Sequence, residues 1–396
     1  MDKTGWTKVK LGDIAELKNG YSFKSSDYDI DKNGTYKIVT IKNVTGEQFI
    51  SEDNYETVSF LPTNIRNHQI LKKGDILISM TGNVGRVSLV RGDNYLLNQR
   101  VGLIQIKNKN IVSELYLNQV LSGHDFESTM ISRGHGAAQP NIGKDDIESY
   151  ELYLPPMEIQ LQIAKLLTTI DNIIQSKSDE SIKYQNMKTQ IMNDIFASGE
   201  REYNWDKIKL GDICEKIQDG NYGKDYPKAN ELLDSGIPLI NGAAVHGHII
   251  VSELKYISEE MNNRLKKARI YTGDVLFLNR GSIGDTAIVT KEYDNCNIGP
   301  QVTLLRPNRS VISTEFLLYL LHSPEIVKLS DSAGGSTIKF LSVNKIRDVE
   351  VYLPTMEIQL MIANLLTMYD DVIETVNKEK EDYEKIKTQM MNMIFA

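Results

Sequence analysis

Side chains capable of covalent or metal chemistry are scattered along this sequence without the spacing such chemistry needs. His246 and His248 flank Gly247, but no further Cys or His cluster stands nearby to complete a ligand set. Gly134-His135-Gly136 lacks the third glycine of a dinucleotide loop. Gly143-Lys144 runs on to Asp145, and Ala138 sits where a phosphate loop would open on glycine. Asp75 and Asp274 lie in matching GDIL and GDVL stretches and read as turn or capping residues, not as nuclease carboxylates. No serine or cysteine stands in a setting that suggests an activated nucleophile. No motif for bond-making chemistry is thus legible in these stretches.

Composition agrees with that. A chain of 396 residues, 41% hydrophobic and 25% charged, suits two or more globular domains. The two cysteines, the lack of a signal-like N-terminus and the lack of a long apolar run predict an intracellular protein that does not span a membrane. The net charge of -8 is unevenly placed. Residues 1–150 hold 18 basic and 18 acidic side chains, and residues 201–349 hold 19 of each. The excess acid falls in 151–200, with 4 basic against 7 acidic, and in 350–396, with 4 against 9. A balanced domain can still gather its cations on one face, so the total excludes no phosphate-binding surface.

The elements that would position such a surface occur twice. Residues 152–171 and 351–370 are identical at 14 of 20 positions, offset by 199, and MKTQIMNDIFA at 187–197 aligns with IKTQMMNMIFA at 386–396. The same offset aligns LGDI at Leu11 and Leu210, GDIL at Gly74 with GDVL at Gly273, and TGNVG at Thr81 with RGSIG at Arg280. Residues 21–73 and 222–272 diverge. One unit is thus duplicated, with shared scaffolding and separate variable parts. Short apolar runs at Lys37–Val44, Asp75–Met80, Val87–Val90 and Val101–Ile106 predict strands. Ser113 and Ser313 cap short helices, and the glycine-bounded TGNVG and RGSIG predict tight turns beside strands.

Each unit closes on a long helix. Ile159, Ile163, Leu166, Ile170, Ile173, Tyr184, Met187 and Ile191 recur at spacings of four and three, as do Ile358, Ile362, Leu365, Tyr369, Val372, Val376, Tyr383, Ile386 and Met390. The rhythm is that of a coiled-coil seam, crossed by Lys177, Glu180 and Glu379. Neither helix buries its stripe alone, so the two are expected to pair. A pseudo-two-fold repeat would make the pairing antiparallel with a globular domain at each end, and Lys177 and Glu379, near mid-helix, either pair to fix the register or leave a solvated gap in the seam.

The duplicated pattern of a variable domain followed by a proline-led LP-x-MEIQ-x-x-IA-x-LL helix resembles the specificity subunit of type I restriction-modification systems, over essentially the whole chain. The resemblance implies two α/β (α+β) target-recognition domains at 1–154 and 201–353. It implies two spacer helices at 155–200 and 354–396, paired as an antiparallel coiled coil. It further implies a non-catalytic DNA-binding subunit that reads a split asymmetric site in double-stranded DNA. Two methyltransferase subunits and two endonuclease or motor subunits would be its partners. S-adenosylmethionine and ATP with magnesium would belong to those partners, and the setting would be cytoplasmic.

An adenine methyltransferase would itself need an Asn/Asp-Pro-Pro-aromatic motif. Here the adjacent Pro155-Pro156 lead into Met157. DNA contacts call for Arg, Lys, Asn, Gln or Ser on loops. The first unit offers Tyr21, Ser22, Lys24, Asn98, Gln99, Arg100, Arg133, His135, Gln139 and Asn141. The second offers Tyr222, Lys224, Asn279, Arg280, Gln301, Ser336, Thr337 and Lys339. Two other readings stay open at this point: a coiled-coil adaptor that binds only proteins, and a methyltransferase or nuclease with its own recognition domain.

Overall fold

A computed structural model describes residues 5–136, 139–223, 226–332 and 339–395. The chain divides into two units, Met1–Asp179 with Asn377–Ala396, and Glu180–Val376. The long helices Met157–Arg201 and Met356–Phe395 each contribute one half to each unit.

In the first unit, strands Ala15–Asn19, Val101–Ile106, Ile76–Ser79 and Val87–Leu89 form an antiparallel sheet in that spatial order. A second sheet runs Glu56–Val58, Tyr36–Val39, Tyr95–Leu97, Ile70–Leu71, and its two central strands are parallel. Thr7–Lys10 pairs with Glu151–Leu154, joining the start of the lobe to the strand that feeds the long helix. The second unit repeats the scaffold. Cys214–Asp219, Val302–Pro307, Val275–Leu278 and Thr286–Ile288 form the antiparallel sheet, and Asp206–Lys209 pairs with Glu350–Leu353. Strands Ile76–Ser79 and Val275–Leu278 are wholly buried, as continuous apolar runs require.

The divergent segments share a small sheet and differ around it: Tyr36–Val39 pairs antiparallel with Glu56–Val58 and parallel with Tyr95–Leu97, as Ile237–Ile240 does with Lys255–Ile257 and Asn297–Ile298. Residues 21–73 supply strands and short turns. Residues 222–272 supply a hairpin, Val245–His246 with His248–Ile249, and a helix, Glu259–Arg264, capped by Ser258. The short helices expected after the sheet are present. Ser113 Oγ accepts from Tyr116 N at 3.4 Å, and Ser313 Oγ accepts from Phe316 N at 3.1 Å.

The MEIQ motif acquires a physical reason. Gln160 is buried in the first turn of its helix. Its Oε1 accepts from Ser113 N at 2.9 Å, and its Nε2 donates to Ile111 O and Pro155 O, both at 2.9 Å. Gln359 does the same with Ser313 N, Val311 O and Pro354 O. One amide thus satisfies three backbone groups and locks the helix start to the lobe.

The helix halves pair antiparallel within each unit. In the first, Asp171 meets Lys387 and Lys177 meets Glu379 at 2.8 Å, so one number rises as the other falls. In the second, Lys188 meets Asp370, and Phe196 shares a core with Ile362. The Lys177–Glu379 contact is the one expected from the seam. The buried face is nonetheless broader than the heptad reading. Gln160, Ala164, Leu167 and Asp171 are buried alongside Ile163 and Ile170, whereas Leu166, Leu365, Val372, Met187 and Ile386 are exposed. The helices pack on their lobes as well as on each other, and serving two neighbours takes a wider stripe than a two-helix seam.

Candidate nucleic-acid interface

Strand direction decides where the candidate loops fall. In the first unit, Ala15–Asn19 and Ile76–Ser79 finish at the sheet end where Val101–Ile106 begins. The residues just beyond those ends therefore converge. Tyr21 N donates to Leu97 O at 2.7 Å and Gln99 N to Tyr21 O at 2.9 Å. Met80 N donates to Arg100 O at 3.1 Å, and Ile142 N to Met80 O at 3.0 Å. His135 and Asn141 exchange backbone bonds at 2.9 Å, and Gly82 N donates to Pro140 O at 2.9 Å. One edge thus gathers Tyr21, Ser22, Asn98, Gln99, Arg100, His135, Gln139 and Asn141. Ser22, Gln99, Arg100, His135, Gln139 and Asn141 are exposed, and Asn98 is half-buried. Lys24 is exposed two residues further on, ahead of the turn Ser25–Asp27. Arg133 is engaged elsewhere. Its guanidinium donates to Asp146 O and to Ser149 Oγ, tying two short helices together.

The second unit repeats the geometry with other side chains. Asn279 N donates to Gln301 O at 3.1 Å, and Leu341 N to Asn279 O at 2.9 Å. Arg280 bridges Phe340 through the backbone, with its guanidinium 4.9 Å from the ring centroid. Tyr222 is exposed beneath the Lys267 ammonium, 3.9 Å from the ring centroid. Gln301 and Lys339 are exposed beside them. Asn279 is set behind this edge: it is wholly buried, and among the described residues neither amide atom has a hydrogen-bond partner. Lys224, Ser336 and Thr337 lie outside the described residues.

Glycine makes these turns possible. Gly82 and Gly85 in TGNVG and Gly281 and Gly284 in RGSIG all have positive φ, from 77° to 110°. Asp75 and Asp274 are turn residues: each carboxylate accepts a backbone N–H three residues back, from Lys72 at 2.8 Å and from Tyr271 at 2.7 Å. Asp274 also receives two bonds from Arg306, both at 2.8 Å.

Sequence reasoning passed over several residues at the same edges. Asn64, Arg66 and His68 stand beside Asn19–Ser22 in the first unit. Asn241 follows strand Ile237–Ile240 in the second and accepts from Tyr226 Oη at 2.7 Å. The available signal was the polar run Asn64-Ile65-Arg66-Asn67-His68-Gln69 within a divergent segment.

Little here suits bond-making chemistry. Among the described residues no three His, Cys, Asp or Glu side chains gather as a metal set. Burial pushes the Cys214 thiol up to about 12 and the Cys296 thiol to about 11, away from thiolate reactivity. Among the described residues no helix is long and apolar enough to cross a membrane.

A duplicated α+β frame presenting one polar loop edge per unit, each packed on its own antiparallel pair of helix halves, is the architecture of a specificity subunit. Residues 3–184 and 202–385 each match the type I restriction modification DNA specificity domain, and the chain belongs to that family. The type I restriction enzyme MjaVIII specificity subunit of Methanocaldococcus jannaschii is 27% identical over 418 residues, covering 99% of this chain and 92% of its own. The EcoBI specificity subunit of Escherichia coli is 22% identical over 398 residues, covering 93% and 81%. The crystal structure of the S subunit from M. genitalium superposes with a TM-score of 0.59 at 17% identity, covering 99% of this chain and 96% of that one, which shows the shared fold.

Proposed function

We propose that this chain is the non-catalytic subunit that gives a type I restriction-modification complex its DNA sequence specificity. Each lobe reads one half of a split target through the loop edge at its sheet end, and the helix pair sets the spacing between the halves. Two methyltransferase subunits assemble on it, with two endonuclease or motor subunits completing the complex in the cytoplasm. S-adenosylmethionine and ATP with magnesium act in those partners.

The observation that carries this reading is the contrast between frame and edge. The sheets and helix starts repeat at a nearly constant offset, while the edges present Ser22, Gln99, Arg100 and Asn141 in one lobe and Tyr222, Arg280 and Gln301 in the other. Side chains of these types read base edges and grip phosphates. Different sets on equivalent positions favour two unlike half-sites.

Mapping methylated adenines in the host genome with and without this chain tests the proposal. A split asymmetric motif that vanishes on deletion is the expected result. An unchanged methylation pattern refutes it. Exchanging residues 222–272 for those of another specificity subunit should alter one half of the motif and leave the other intact.

A further inference from the structure

Beside the reading edge of the first lobe lies an open groove of about 510 Å³, with Asn19–Ser22 on one side and Asn64, Arg66 and His68 on the other. Its charges are arranged around a single carboxylate. Glu16 accepts from Lys18 at 2.7 Å and from Lys144 at 3.3 Å, and these two ammonium groups hold its carboxyl below the usual carboxylate range. Arg66 adds a third cation, exposed and without an ion pair among the described residues. The second carboxylate near Lys144, Glu148 at 3.6 Å, is committed to Leu17 N at 2.9 Å. Cations therefore outnumber the groove's carboxylates.

The wall that carries Arg66 is fixed in place. Arg66 N donates to Gln69 Oε1 at 2.9 Å, and Gln69 Nε2 donates to Asn19 O at 3.3 Å. The His68 ring nitrogen lies 3.2 Å from that same carbonyl. A guanidinium on a preset turn, lining one groove with two ammonium groups, supplies the fork and point-charge donors that phosphate oxygens accept from.

The second lobe is built differently. By strand register Lys216 and Gln218 stand where Glu16 and Lys18 do, and Val343 starts the short helix that Lys144 starts in the first lobe. Lys216 there donates to Lys267 O at 2.9 Å.

We propose that this groove of the first lobe is a phosphate clamp for the duplex backbone. The inference rests on the DNA-reading assignment above.

The test is fluorescence anisotropy of the full chain with a mixed-sequence 30-bp duplex, titrated over a range of salt. Each phosphate contact contributes about -0.9 to the slope of log affinity against log salt, so its loss costs about eightfold at 0.1 M salt. Arg66→Ala should make the slope shallower by about that amount, and Arg66→Lys should restore most of it. Glu16→Gln, which removes the groove's carboxylate, should tighten binding. An Arg66→Ala slope equal to that of the unaltered chain, or weaker binding by Glu16→Gln, overturns the clamp while leaving DNA reading intact. Salt-independent or absent binding by the unaltered chain would instead sink the DNA-reading assignment itself.

Discussion

Replacing Lys387 with methionine should destabilise the first unit far more than any change to the seam pair that the sequence pointed to. Lys387 contacts Asp171 at 2.5 Å, with side-chain exposures of 19% and 7%. Asp171 also accepts from Gln119 Nε2 at 2.7 Å. Removing the ammonium leaves a buried carboxylate with one neutral donor, a situation that costs about 3–5 kcal/mol. Lys177–Glu379 has exposures of 26% and 49%, and a pair that wet is worth about 0–1 kcal/mol. For a unit of this size 1 kcal/mol moves the melting temperature by about 2–4 °C, so Lys387→Met should lower the first transition by roughly 6–20 °C and Lys177→Leu by no more than about 4 °C. Scanning calorimetry reads both. The double variant Asp171→Asn with Lys387→Met, which removes both charges, should recover most of the loss. Equal effects from the two single variants would refute the burial reasoning. A Lys177→Leu variant that kept its register and gained stability would remove any register role for that pair.

Further outcomes follow from the same coordinates. His322 lies within hydrogen-bond reach of Thr286 Oγ1, at 2.8 Å, and desolvation holds its imidazole below the ordinary value, with the Lys188 ammonium acting in the same direction against Asp285 and Asp370. Its folded value being the lower one, the unfolded chain binds more protons. Stability of the second unit should therefore be full above about pH 6.5 and fall as pH drops towards the folded value, a slope that His322→Gln should flatten in melting curves taken at several pH values. Gly85→Ala and Gly284→Ala both place a side chain at positive φ, costing about 1–2 kcal/mol. At Gly85 the new Cβ would also meet Met130 Cβ at 2.6 Å, whereas among the described residues nothing lies within 4 Å at Gly284. Chemical denaturation should rank Gly85→Ala as the more damaging of the two.

Most of the frame was legible in the sequence because duplication exposes it. A pattern that recurs at one offset separates what the fold requires from what may vary, and the strands near Asp75–Met80, Val87–Val90 and Val101–Ile106 stand where periodicity put them. That the long helices pair followed from stripes that neither could bury alone, and their direction from the pseudo-two-fold repeat. The site was legible only in outline. Tyr21, Asn98 and Asn141 are far apart in the chain, and nothing local states that their strands end at one sheet edge. Nor does the sequence state that Arg133 Nη1 donates to Asp146 and Ser149, or that Asn279, just past strand Val275–Leu278, is wholly buried.

Residue type and spacing thus determined the repeat, the strand and helix inventory and the pairing of the helices, because those depend on local periodicity and on the need to bury it, and the duplication itself set their antiparallel direction. Tertiary structure alone decided which polar groups face outward together, how wide a helix face is buried, and that Lys18, Lys144 and Arg66 share one groove. Those depend on where separate segments meet, and a linear sequence records the side chains without recording their neighbours in space.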